Sequence, residues 1–138
     1  MKFLTLLVLL TLPLLGDTAY LNEELEARKK VQRELMKDTL ETLNGTLNRE
    51  TLETTVRNNT ESYLTLIDHV IASEDALLKV HFLRAEYLLD VDDAAWEVSY
   101  DAEDEEKRAS ALKRATAENK LEKLKEVESK LTKTDDEE

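Results

Sequence analysis

Downstream of position 16 the chain contains no proline and a single glycine, Gly45. Sheets need reversals, and tight reversals draw on those two residues for backbone angles that others reach only at a cost. A chain with almost no turn residues therefore has few routes to a sheet. Leucine, alanine, glutamate and lysine dominate instead, and all four favour helix. The expected fold is all-α: a small helical bundle with a long, charged, coiled-coil-like C-terminal helix, forming one domain over residues 17–133.

Asn44-Gly45 is the clearest punctuation. It closes a first amphipathic helix of roughly Asn22 to Leu43, which carries Leu21, Leu25, Leu35, Met36, Leu40 and Leu43 on one broad face. Its early acids and later bases largely suit the helix dipole. Asn48 can cap the next helix. From Leu52 the apolar positions step by four and three through Val56, Asn59, Tyr63, Leu66 and Val70. The register continues through Ser73, Leu77, Val80, Arg84, Tyr87, Val91 and Ala94 to Val98. Such a repeat is the seam of a coiled coil or bundle. Asn59-Thr60-Glu61 and Ser73-Glu74-Asp75 both resemble helix starts. Residues 49–99 therefore form one bent helix or three shorter ones, and the breaks favour the bundle.

Ala76 to Leu89 is apolar around most of its circumference, which predicts a central helix. Asp90 or Asp92 is expected to cap a short helix containing Trp96, Val98 and Tyr100. A long charged helix follows from about Ala102 to Leu131, with a thin stripe of Ala109, Leu112, Thr116, Leu124, Val127 and Leu131. Residues 134–138 form an acidic tail expected to be disordered.

The N-terminus sets the expected compartment. Met1-Lys2 is basic, Phe3 to Leu15 is almost wholly apolar, and Pro13 breaks the run before the small residues Gly16 and Ala19. That is the layout of a secretory signal peptide. It predicts cleavage after Gly16, with Ala19 the alternative, and an extracellular mature chain. The run is too short for the roughly 20 residues of a bilayer-spanning helix, so no stable membrane insertion is expected after cleavage.

The formal net charge is −12 and the pI about 4.7. Such a surface repels phosphate backbones and anionic membranes, so nucleic acid is not an expected partner. The absence of cysteine excludes thiolate catalysis and cysteine-held metals. It also means that an exported domain must rely on a real core, a ligand or a partner rather than on disulfides.

Two N-glycosylation triplets occur, Asn44-Gly45-Thr46 and Asn58-Asn59-Thr60. Asn44 sits in the expected turn, and Asn58 beside a seam residue, so both point away from packed surface. His69 and His81 lack the helical spacing that puts two ligands on one face. The acids of residues 90–106 fail the EF-hand pattern at positions six and twelve. No serine elbow or phosphate loop is present. No cofactor, metal or enzyme activity is expected. Phe82, Tyr87, Trp96 and Tyr100 are the candidates for a hydrophobic pocket. The expected function is binding of a protein partner not specified by the sequence, with self-association through the seam or the C-terminal helix. The alternative is carriage of lipid or another small hydrophobic ligand between helices.

Overall fold

A computed structural model describes residues 2–96 and 102–136, with side chains described for 16–96 and 102–133. Four helices follow one another: α1 (Lys2–Thr42), α2 (Arg49–Ala72), α3 (Ala76–Trp96) and α4 (Asp104–Asp136). No strand occurs among the described residues. The chain is a small all-α bundle that ends in a charged helix of 33 residues.

Ion pairs fix the directions. Lys29 of α1 meets Asp68 of α2, and the short connections make each helix antiparallel to the next. Asn22 meets Lys79 while Arg28 meets Asp90, so α1 and α3 run the same way. Asp17 lies 3.9 Å from Lys130 and Glu24 3.2 Å from Lys120, so α4 opposes α1. The result is an up-down-up-down arrangement.

The core gathers at one end of the bundle. Leu21 and Leu25 of α1 meet Ile67 and Val70 of α2, Val80, Leu83 and Tyr87 of α3, and Leu124, Val127 and Leu131 of α4. Burying each large apolar side chain contributes about 1.5–3 kcal/mol. Helix α3 packs against all three others, as expected of a central helix. It is not fully enclosed, however. Leu78, Leu88 and Leu89 keep 44%, 49% and 55% of their surface exposed.

Polar groups tie the elements together beside this core. Arg28 reaches Glu86 at 2.8 Å and Asp90 at 2.6 Å. The Tyr87 hydroxyl donates to Glu24 at 2.6 Å, and Lys120 lies 5.4 Å from the Tyr87 ring centroid. Lys79 is only 2% exposed; its ammonium donates to the Asn22 side chain and to the Ile71 carbonyl at the end of α2. No buried side-chain nitrogen or oxygen among the described residues lacks a partner, as a stable interior requires.

The helix boundaries differ from expectation in instructive ways. Helix α1 does not begin at Asn22; it is continuous from Lys2 and is not interrupted at Pro13 or Gly16. Asn48 does stand ahead of α2, but in a left-handed conformation (φ 62°) and without a side-chain capping bond. Gly45 supplies the other left-handed position, φ 81°. Asn59-Thr60-Glu61 is helix interior, because Thr60 falls on the packed side of α2 and is 5% exposed. Ser73-Glu74-Asp75 is a true break. The Ser73 hydroxyl accepts from the Asp75 N–H, and the Asp75 carboxylate accepts from the Leu78 N–H. No new helix starts at Asp90 or Asp92, since α3 runs through both to Trp96.

In α4 the packed positions are Ser110, Ala117, Leu124 and Leu131, seven apart, joined by Val127 and Leu121. Ala109 and Thr116 are exposed and Leu112 is 70% exposed. The first half of the stripe is thus displaced by one residue from the expected one. Helix α4 continues to Asp136, three residues into the expected tail, and residues 137–138 lie outside the described ones.

Candidate functional site

The four aromatic candidates do not form a common pocket. Tyr87 is fully buried, with burial foremost and its bond to Glu24 raising the phenol pKa above its ordinary value. Phe82 is half-buried against Tyr63, with ring centroids 6.5 Å apart. Trp96 is 88% exposed. Tyr100 lies outside the described residues. Tyr87 and Trp96 are nine residues apart, which at 100° per residue places them on opposite sides of α3.

Both glycosylation triplets have an exposed asparagine, but their settings differ. Asn44, Gly45 and Thr46 are all exposed in the α1–α2 turn. Asn58 projects from the middle of α2, while the Thr60 of its triplet is packed inward. His69 and His81 are both exposed, and His81 lies 3.3 Å from Arg84. Among the described residues, no three histidine or acidic side chains come together as a metal site.

A groove of about 490 Å³ runs between α3 and α4, lined by Arg84, Leu88, Glu118, Leu121, Glu122 and Lys125 among others. It is open, and Arg84, Glu118, Glu122 and Lys125 are among its seven lining residues. It offers no dry enclosure.

The distinctive surface lies on the other side of α3. Leu78, Ala85, Leu89 and Trp96 recur at spacings of seven, four and seven, which keeps them on one face. That face is turned away from Leu83 and Tyr87, and all four residues are exposed. Helix α2 continues the surface. Leu52, Thr55, Asn59, Ser62 and Leu66 follow a three-four spacing along its outer flank. The Tyr63–Phe82 contact joins the inner edges of these two flanks, so they adjoin. None of these nine residues is Lys, Arg, Asp or Glu, in a chain that is 36% charged. Asp92 stands at the border of the face.

The apolar count around α3 is visible in the sequence; its division into a packed side and an open side is not, until the partners of α3 are placed. The stripe itself could have been found by asking which leucines fall half a turn from the Val80–Leu83–Tyr87 set.

No family model, curated protein or solved structure matches this chain.

Proposed function

We propose that this chain is a secreted, N-glycosylated, acidic helical protein that works by binding another protein and not by catalysis. The observation that carries the binding role is the largely uncharged apolar face of α2 and α3, with Leu89 55% exposed near its middle and Trp96 88% exposed at its end. Aromatic side chains that stand free on a rigid helix are the usual anchors of protein interfaces. Contiguous apolar surface of this kind on a soluble domain marks an interaction site more often than not.

Export is proposed from the apolar run that precedes Gly16. Two features support it. Among the residues whose side chains are described, the fully buried positions begin at Leu21, so cleavage after Gly16 or Ala19 keeps every described core residue. Cleavage after Gly16 also keeps Asp17, which pairs with Lys130 of α4. In addition, no described helix is long and apolar enough to cross a membrane. Lipid carriage is the weaker reading, because the inter-helix groove is open to solvent and four of its seven lining residues are charged.

Expression of the full chain in secreting eukaryotic cells tests both parts. The expected product appears in the medium, begins at Asp17, and loses mass on treatment with an N-glycosidase. Retention in the cell with the N-terminal run intact would sink the export reading. For binding, chemical cross-linking in the native fluid should yield complexes that disappear in a Leu89→Glu, Trp96→Glu variant. Complexes of equal yield from that variant would remove the α2–α3 face as the site.

A further inference from the structure

We infer that the occupant of the α2–α3 face is a second copy of this chain, docked antiparallel along α3 about a two-fold axis. This deepens the proposed binding role and rests on the reading of that face as a docking surface.

The stripe is self-complementary. Its members are symmetric about position 87: Leu78 and Trp96 lie nine residues either side, Ala85 and Leu89 two residues either side. When two copies of α3 meet antiparallel with position 87 at the axis, Leu78 of one faces Trp96 of the other, and Ala85 faces Leu89. Each large residue at the centre then meets a small one, which lets the helices approach closely. A two-fold interface demands this property, since the same patch must complement itself. The border residues His81 and Asp92 fall on one flank of α3, six residues before and five after position 87, so the same register brings them to within one residue of facing each other.

Charge points to the same face. Each copy carries −12, so two copies repel wherever acidic surfaces meet. The nine residues of the stripe and the adjoining flank of α2 include no ionisable side chain, and the acids Asp92 and Asp93 stand only at its border, so approach there carries less Coulombic cost than across acidic surface. A strongly basic partner would instead seek acidic surface, which this chain presents on its other sides.

The exposed area also suits a dimer. Leu66, Leu78, Leu89 and Trp96 are 50%, 44%, 55% and 88% exposed. At about 200 Å² for a free large side chain they present roughly 500 Å², more than half of the ~800 Å² per partner in a stable interface. Ala85 and the uncharged polar residues of α2 supply the rim.

The test uses the full chain secreted from eukaryotic cells, examined by sedimentation equilibrium across the micromolar range. The expected species is a dimer. Leu89→Glu should weaken it at least tenfold while leaving helicity by circular dichroism unchanged, and Leu112→Glu on α4 should leave the mass unaltered. The register has its own test, because the chain has no cysteine. A mixture of Leu78→Cys and Trp96→Cys chains should form a mixed disulfide on mild oxidation. Neither variant alone should link, since residues 18 apart along paired helices stand about 27 Å away from their own counterparts. Self-linking of either variant, or a wild-type chain that stays monomeric throughout, overturns the inference. A monomer whose cross-links to a different protein are lost in Leu89→Glu would overturn the second copy alone and leave the docking face standing.

Discussion

At the scale of single residues, the bundle is specified by a few partly buried polar contacts as much as by its leucines. Glu24 accepts from Tyr87 and pairs with Lys120, so one carboxylate joins α1, α3 and α4. Removing the hydroxyl in Tyr87→Phe should cost about 1.5–3 kcal/mol by urea denaturation, the scale of a hydrogen bond to a charged group. An unchanged midpoint would deny that bond a role in stability. Burial also raises the phenol pKa values of Tyr20, Tyr63 and Tyr87 above 10.0. A group whose folded pKa is raised stabilises the fold fully below its unfolded value, and that stability is lost as the pH climbs past it. Lys79, lowered by burial from 10.5, works in the opposite sense, gaining as the pH rises toward that value. Three phenols against one ammonium predict a net loss. Denaturation midpoints should fall between about pH 9 and pH 11, and tyrosinate absorbance should rise together with the loss of helix. The sequence does show that Tyr87 and Trp96 are half a turn out of phase; grouping them as pocket residues overlooked that angle, whereas the partner of the Tyr87 hydroxyl, 63 residues away, has no local signal at all.

At the scale of elements, helix type was legible in the composition, and helix number and helix ends were not. Asn59-Thr60-Glu61 and Ser73-Glu74-Asp75 look alike as capping sequences, yet only the second ends a helix. The difference is tertiary. Thr60 falls in phase with Ile67, one packed position of α2, and extending the helix buries it. Past Ser73 the chain must reverse for α3 to reach the same core. Asp75→Ala should therefore cost about 1 kcal/mol by thermal or chemical melting, the usual scale of a lost N-cap. The matching Asn59→Ala substitution, in mid-helix and exposed, should be neutral or slightly stabilising. Equal losses at both sites would contradict this account. Gly45→Ala forces a side chain into φ 81° and should cost a similar amount, about 1 kcal/mol. The one-residue displacement of the α4 stripe has the same origin. Ala109 and Ser110 are equally plausible inward residues by type, and only the placement of α3 decides between them.

At the scale of the whole molecule, a charge of −12 on a cysteine-free bundle sets the terms of its stability. Repulsion between acids opposes the compact state, while the Arg28 contacts to Glu86 and Asp90 are sheltered from screening. The melting temperature should thus rise by a few degrees between about 10 and 150 mM sodium chloride; a fall would mean that exposed ion pairs outweigh the net repulsion. The inward position of Thr60 bears on biogenesis as well. Sugar transfer to Asn58 needs the hydroxyl of that threonine within reach of the transferase, and the folded chain withholds it. On the proposed export route the two acceptors therefore keep different time. Asn44 stays available after folding, while Asn58 is available only until α2 docks. The core residues Leu124 to Leu131 emerge about 70 residues after Asn58, several seconds later at ordinary rates of synthesis. Fractional occupancy at Asn58, set against Asn44 in the same molecules, thus becomes a clock that records how long the nascent bundle stays open.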